Sequence, residues 1–263
     1  MYTKEELLVK DFVSQHKNIL NSIIKIKNKK TFCLNEYDSG YSIADIIIGE
    51  LFDNIEEELK RKPIDSRLLT PLLDFNTHEY INFQDFAMKY SVSTITAKKY
   101  LESYTEAGYL CKIDNKGNYK FLKPYKLVFK NLISIEAKLK NWKKALQQAY
   151  SYKLFSNMVF VLVDKHYSNQ AIKNISLFEK YDIGLIVMDE NGYKIINIPS
   201  YQKINSNQLV LKVNEFIIEK NPINQNQILG LYDSIMLNGL RYYLDQLKFY
   251  SQIFLDINHQ QQK

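Results

Sequence analysis

The stretch Leu132-Ile133-Ser134-Ile135-Glu136-Ala137-Lys138-Leu139 decides the fold, and it carries two charges in an otherwise apolar run. Branched apolar residues alternate along it, which predicts a β-strand whose side chains two residues apart point to the same face. Glu136 and Lys138 would therefore lie side by side. Because Glu and Lys are rarely buried without a partner, the pair is either an ordinary cross-strand ion pair or part of a site.

The segments that follow this strand alternate between helix and strand patterns. Residues 141–152 and 169–181 have helical patterns, whereas residues 158–164 and 184–189 are short apolar runs typical of buried strands. An alternation of strand, helix, strand, helix and strand indicates an α/β unit with parallel or mixed central strands.

The segments that precede it predict a helix and a β-hairpin. Residues 4–27 carry a one-sided apolar stripe of helical spacing. Residues 31–37 and 41–48 read as two strands around the turn Asp38-Ser39-Gly40, and Asp45 interrupts the second strand. The patterns of residues 50–59 and 65–75 predict two further short helices.

Residues 81–122 have the order helix, tight turn, helix and β-hairpin, with a turn at Lys116-Gly117-Asn118. This order resembles a winged helix-turn-helix domain, with Ser93 as the N-cap of the second helix. In that family the second helix lies in the DNA major groove. The resemblance implies that its polar residues contact DNA and that Tyr100, Leu101 and Tyr104 face the domain's own core. The implied DNA-binding residues are Ser93, Thr94, Thr96, Lys98 and Lys99. Winged helices also dock proteins, so a protein contact is the alternative.

Composition limits the class of protein. The chain has 263 residues, 46% hydrophobic and 24% charged, which predicts one or two compact units with tails. It lacks the roughly 20 uninterrupted apolar residues of a membrane span and the apolar segment of a signal peptide, so a soluble cytoplasmic protein is expected. Two distant cysteines and four histidines indicate neither a disulfide scaffold nor a zinc site. The net charge of +6 is compatible with a polyanionic partner but does not require one.

Three local patterns resemble the PD-(D/E)XK nuclease superfamily, the fold of many restriction enzymes and RecB-type repair nucleases. Glu136-Ala137-Lys138 matches the family's E-x-K, and Asp45 matches the acid on the preceding hairpin strand. Gln148 and Tyr152, four residues apart, match the Gln-x-x-x-Tyr of RecB-type members.

The resemblance implies an α/β (α+β) fold, a restriction-endonuclease-like mixed sheet flanked by helices. The winged helix-turn-helix of residues 61–126 would be inserted between the two parts of the core, residues 1–60 and 127–200. Residues 201–263 would form a helical C-terminal extension that covers the sheet or forms a homodimer interface. The last residues, from His259 onward, would be a polar tail.

The spacing departs from the family pattern. About ninety residues separate Asp45 from Glu136, whereas the family usually has ten to thirty between these positions. An insertion at a hairpin connection accounts for the distance, since loop-closure entropy grows only slowly with length. A rival acid is Asp114, about twenty residues before Glu136, but it lies in the predicted wing turn. Asp45 is therefore preferred.

The resemblance also implies a chemistry. Asp45, Glu136 and the carbonyl of Ala137 would hold Mg²⁺ (or Mn²⁺), which binds oxygen ligands and keeps several waters. Lys138 would orient the attacking water. Gln148 and Tyr152 would contact phosphate or brace the lysine, although Tyr152 is equally well explained as a core aromatic residue. Glu6 is a candidate for an additional acid.

Two functions from different classes follow as expectations. The first is a metal-dependent DNA endonuclease, with RNA as an open alternative substrate, in restriction or mobile-element defence alongside a further protein partner. The second is a DNA-binding transcriptional regulator or adaptor with a catalytically inactive nuclease-like core.

Overall fold

Nine strands form two sheets in the part of the chain that the computed structural model describes, residues 1–26, 30–76, 78–204 and 206–222. The predicted α+β class is confirmed, because a six-stranded mixed sheet is flanked by helices. The strands of the large sheet are β1 (Thr31–Asp38), β2 (Ile43–Leu51), β6 (Phe129–Lys138), β7 (Met158–Asp164), β8 (Gly184–Asp189) and β9 (Gly192–Asn197), and those of the small sheet are β3 (Tyr80–Asn82), β4 (Leu110–Lys112) and β5 (Asn118–Phe121). The α-helices are α1 (Glu5–Ile23), α2 (Glu56–Lys60), α3 (Leu69–Leu72), α4 (Phe83–Lys89), α5 (Thr94–Glu106), α6 (Trp142–Tyr152), α7 (Asn169–Lys173), α8 (Ile175–Tyr181) and α9 (Asn207–Lys220), and 3₁₀ turns cover Ser66–Leu68 and Lys165–Tyr167.

The large sheet has the order β1-β2-β6-β7-β8-β9. Strands β6, β7 and β8 run parallel to one another, and the remaining pairs are antiparallel. Helix α1 packs on one face through Leu8 and Phe12, which join Ile135 and Ala137 in a buried apolar cluster. Because neighbouring residues of a strand point to opposite faces, Glu136 points to the other face, where α6 packs on β6 and β7.

The elements between β2 and β6 include a second, smaller sheet and several helices. The small sheet has the order β3-β5-β4, and α4 and α5 pack on it around an apolar cluster of their own. Ser93 caps α5 as predicted, because its hydroxyl accepts the N–H of Thr96 at 3.1 Å. The helix predicted to begin at residue 81 begins at Phe83 instead, because residues 80–82 form the short strand β3.

Helix α9 packs against the rest of the described chain. It contacts α2 and β1, and the side chain of Asn214 accepts the backbone N–H of Val128 at 2.7 Å. Glu215 forms a buried ion pair with Arg61, with a hydrogen bond of 2.8 Å. These contacts anchor the first part of the predicted C-terminal region on residues from both sides of the insertion. The rest of the predicted helical extension, residues 223–263 with the polar tail, lies outside the described residues.

Two local predictions were wrong, and one strand was missed. The helix predicted at 50–59 is only α2, because β2 continues to Leu51. Gly49 permits this continuation, since a Cβ there would lie 2.0 Å from the carbonyl oxygen of Asn131. The helix predicted at 169–181 is divided into α7 and α8, and β9 was not predicted at all.

Candidate active site

Strands β2 and β6 separate at the point where the candidate residues lie. Their backbone pairing reaches Ile46 opposite Ile135 and goes no further. Beyond it, Oδ2 of Asp45 accepts the backbone N–H of Ala137 at 2.8 Å, so a side chain takes the place of a backbone acceptor. This bond fixes the Asp45 carboxylate beside Glu136.

The ammonium of Lys138 lies among three oxygens. Its Nζ is 3.0 Å from Oε1 of Glu136 and 3.5 Å from Oδ2 of Asp45. It also donates to the carbonyl oxygen of Ala137 at 2.8 Å. These oxygens belong to the three residues that the sequence analysis named as metal ligands. In the structure they converge on one cation, which is the lysine itself.

Glu136 is buried, with 1% of its surface exposed. Its Oε2 accepts a hydrogen bond from the hydroxyl of Tyr152. Its Oε1 forms an ion pair with the Lys138 ammonium at 3.0 Å. Burial and the nearby charge of Asp45 raise the pKa of Glu136, although the Tyr152 hydroxyl and Lys138 act in the opposite direction.

The pKa of Lys138 responds to the same neighbours. Burial alone would lower it, but the carboxylates of Asp45 and Glu136 outweigh that effect and raise the pKa above the ordinary lysine value. Lys138 therefore stays charged at neutral pH, as its ion pairs with neighbouring carboxylates require.

Helix α6 supplies Tyr152 and Gln148. It begins after Asn141, whose side chain accepts the N–H of Lys144 at 3.2 Å. Tyr152 is fully buried, and its hydroxyl contacts the carbonyl oxygen of Ile43 in addition to Glu136. Tyr152 thus contacts Glu136 and not Lys138. The side-chain oxygen of Gln148 is buried and has no hydrogen-bond partner among the described residues.

Helix α1 brings a further acid to the site. Oε2 of Glu5 lies 3.3 Å from the Lys138 ammonium. Glu6, the candidate named from the sequence, is exposed and does not make this contact. The helical spacing of the sequence favours Glu5 over Glu6, because Glu5 precedes the buried Leu8 and Phe12 by three and seven residues and so shares their helix face.

A groove of about 470 Å³ opens beside these residues. Its lining is mostly acidic and apolar. The lining residues are Glu5, Glu6, Val9, Lys10, Val13, Asn35, Glu36, Asp45 and Ala137. The Asp45 carboxylate therefore faces a space large enough for part of a ligand.

The rival acid Asp114 has a structural role. Its Oδ1 accepts the backbone N–H groups of Lys116 at 2.9 Å and Asn118 at 3.2 Å. These bonds hold the turn between β4 and β5, inside the insertion. Asp114 is thus held apart from the Lys138 cluster.

The residues expected to bind DNA lie at the start of α5. Thr94, Lys98 and Lys99 are exposed, and the Lys98 ammonium lies 4.6 Å from the centre of the Phe83 ring. The hydroxyls of Ser93 and Thr96 are 2.8 Å apart, so they bind each other. On the opposite side of α5, Leu101 and Tyr104 are buried and Tyr100 is partly buried in the insertion's core, as predicted.

The chemistry of the donors fits a hard divalent cation. Two carboxylates and one carbonyl are the oxygen ligands that Mg²⁺ prefers, with water completing its coordination. Within the described ranges, no group of three or more His, Cys, Asp or Glu side chains is arranged to hold a metal ion. A cation at this site would therefore depend on the Ala137 carbonyl and on water or substrate oxygens.

Two further findings concern the chain as a whole. None of the helices in the described ranges has both the length and the hydrophobicity needed to cross a membrane. No protein family model, curated protein or solved structure matches this chain.

Proposed function

We propose that this chain is a metal-dependent endonuclease that hydrolyses DNA phosphodiester bonds, with a role in restriction or mobile-element defence. One observation carries the proposal. Oxygens of Asp45, Glu136 and Ala137, from two strands far apart in sequence, surround a single cationic group at distances of 2.8 to 3.5 Å. Two carboxylates and a carbonyl oxygen lie this close together at a partly exposed site only where a cation balances their charge. Lys138 does so in the structure, and a divalent ion would meet the same need.

The site fits Mg²⁺ or Mn²⁺ by its donor set, in which Oε1 of Glu136 already binds a cation, the Lys138 ammonium. A divalent ion held there would neutralise charge on a phosphodiester and make a water molecule more acidic. Asp45 and Glu136 would hold the ion, and the backbone carbonyl of Ala137 would be the third ligand.

The other residues would act on substrate and water. Lys138 would orient the attacking water and stabilise its hydroxide. Tyr152 would fix the rotamer of Glu136, since its hydroxyl already binds Oε2. Gln148 has a buried amide oxygen without a partner among the described residues, and this acceptor would bind a water molecule that in turn contacts the phosphate.

The insertion would hold the DNA. Residues 61–126 contain eleven Lys or Arg and seven Asp or Glu, a net charge of +4 out of +6 for the whole chain. Positive charge on this scale favours contact with phosphates. Thr94, Lys98 and Lys99 form an exposed polar face on α5, in the helix that follows the tight turn.

The test is cleavage of supercoiled plasmid in Mg²⁺ or Mn²⁺, with EDTA as the metal-free control. Wild type should nick the plasmid, whereas Asp45→Asn, Glu136→Gln and Lys138→Ala should reduce the rate by at least about 100-fold. Lys140→Ala is the matched control. Lys140 lies two residues after Lys138, but its ammonium contacts the Tyr167 ring and not the carboxylates of the site. A labelled RNA of the same sequence tests the other substrate.

A second candidate is a DNA-binding regulator or adaptor with an inactive core, acting as a homodimer or with another protein. It is favoured by the Lys138 ammonium, which already neutralises the same three oxygens. Under this alternative, wild type shifts DNA in a gel but no divalent ion produces nicking, and Lys138→Ala changes neither result.

A further inference from the structure

Ile95 is the most exposed large apolar side chain among the described residues, with 80% of its surface accessible. It lies in the first turn of α5. The opposite face of this helix is buried, since Ala97, Leu101 and Tyr104 have no exposed surface. Ile95 thus points away from the only apolar cluster to which α5 contributes in the described chain.

Folding gives no reason for isoleucine at this position. A β-branched residue is a weaker helix former than Ala, Lys or Glu, because χ1 is restricted in a helix. An exposed isoleucine also gains nothing from burial. The side chain therefore costs some helix stability without a packing contact from the described residues in return, which points to a contact with a binding partner.

The surroundings of Ile95 match one kind of partner. Lys98 and Lys99 follow at spacings of three and four residues, so they share its face of the helix. Neither lysine forms an ion pair with any residue in the described ranges. Thr94, the residue before Ile95, adds an exposed hydroxyl and methyl group. The exposed carboxylate of Glu102 lies two helical turns after Ile95. An apolar tip flanked by ammonium groups that no carboxylate of the described residues neutralises complements a surface where an apolar group lies between rows of phosphates.

We propose that Ile95 is a specificity-determining residue that contacts the C5-methyl group of thymine in the DNA major groove. The thymine methyl is the apolar group that base edges present in this groove. Lys98 and Lys99 would bind the phosphates on either side, which positions the helix without reading sequence. The sites bound by this chain would therefore contain thymine at the position below the start of α5. This inference rests on DNA binding by the insertion and not on cleavage.

The experiment compares thymine with deoxyuridine, which pairs in the same way but lacks the methyl group. The full chain, in EDTA so that no cleavage occurs, first selects sites from a pool of random duplexes. Each thymine of a selected site is then replaced by deoxyuridine, and affinity is measured by fluorescence anisotropy at fixed salt. Ile95→Ala is the test variant, and Ile172→Ala, another exposed isoleucine on α7, is the matched control.

For wild type and Ile172→Ala, replacement at one or two positions should weaken binding about fourfold. This is the change in affinity expected when one buried methyl-sized group is lost. For Ile95→Ala, the same replacements should have no effect, while circular dichroism stays unchanged. The double variant Lys98→Ala, Lys99→Ala should instead lower the salt dependence of binding and retain the thymine preference.

The proposal is overturned if no replacement weakens wild-type binding, which is also the result expected if Ile95 docks a protein. It is equally overturned if Ile95→Ala retains the sensitivity to deoxyuridine. A thymine preference without metal-dependent nicking would leave Ile95 as a specificity residue and refute only the nuclease activity.

Discussion

Asp45 and Ala137 are joined by a hydrogen bond of 2.8 Å, although 92 residues separate them in the chain. The bond lies where strands β2 and β6 stop pairing, and a carboxylate oxygen accepts the N–H that a neighbouring strand would otherwise accept. Asp45 therefore has two separable roles. As a hydrogen-bond acceptor it ends the sheet ladder, and as a charge it faces Lys138 and the groove.

Substitutions at Asp45 should separate these roles. Asp45→Ala leaves the Ala137 N–H without its acceptor, so we expect a loss of about 1–3 kcal/mol in the free energy of unfolding. Asp45→Asn keeps an acceptor oxygen and should cost less than about 1 kcal/mol, since only a partly exposed ion pair is lost. Both should abolish plasmid nicking. Urea denaturation gives the stabilities, and equal destabilisation by the two variants would contradict the backbone role.

Lys138 should compete with a divalent ion for the same oxygens. In Lys138→Ala, Mn²⁺ should bind at least about tenfold more tightly than in wild type, since 1.4 kcal/mol of removed charge repulsion suffices for that factor. Nicking should nevertheless be lost. Isothermal titration calorimetry measures the affinity. If Mn²⁺ no longer binds Lys138→Ala, the ammonium is not a competitor but a requirement of the site.

Tyr152 should stabilise the fold through its hydroxyl. Tyr152→Phe removes the hydroxyl that contacts both Oε2 of Glu136 and the carbonyl of Ile43, so one buried acceptor loses its donor, which should cost about 1–3 kcal/mol of unfolding free energy. Tyr150→Phe is the matched control on the same helix, because Tyr150 is 56% exposed and should change stability by less than about 0.5 kcal/mol. Thermal unfolding of both variants checks the difference. Equal effects would show that the Tyr152 hydroxyl makes no net contribution.

The raised pKa of Glu136 predicts a pH dependence of stability. The protonated carboxyl is favoured in the folded state, so its contribution is fully present below the ordinary glutamate pKa, about 4.3. It is lost as pH rises through the higher pKa of the folded protein. Glu136→Gln, which is neutral at every pH, should therefore match wild type near pH 4 in metal-free buffer and be more stable at pH 7.

Unfolding of these two proteins between pH 4 and 7 measures this effect. Mn²⁺ should raise the midpoint of wild type at pH 7 and leave that of Glu136→Gln unchanged, because a ligand stabilises only the state that binds it. A wild type more stable than Glu136→Gln at pH 7 without metal would show that the ionised pair with Lys138 is favourable overall.

Much of the core could be predicted because its signals are local. Strand β7 has its predicted bounds, since a continuous apolar run between polar residues marks a fully buried strand. The Ser93 cap was also predictable from one residue in front of a helical pattern. Strand β9 was missed because it is only half-buried, although Glu190-Asn191-Gly192 before it has the composition of a tight hairpin turn.

The site was less accessible to sequence reasoning. Local patterns could place Glu136 and Lys138 on one strand, but no periodicity connects them with Asp45, and only the resemblance to a nuclease family suggested it. The contact of Glu5 with Lys138 depends on how α1 is rotated on the sheet. The exposure of Ile95 likewise depends on tertiary packing, because an isoleucine in a helical pattern ordinarily belongs to the buried face.

The most direct test of the account is a crystal structure of the full chain grown or soaked with Mn²⁺ and collected at a wavelength where manganese scatters anomalously. We predict one anomalous peak at metal–ligand distance, roughly 2.0–2.6 Å, from one carboxylate oxygen of Asp45 and one of Glu136, with the Lys138 ammonium displaced from its position near these oxygens. A structure at saturating Mn²⁺ with no peak there, and with Lys138 still bound to Glu136 and Ala137, would contradict it.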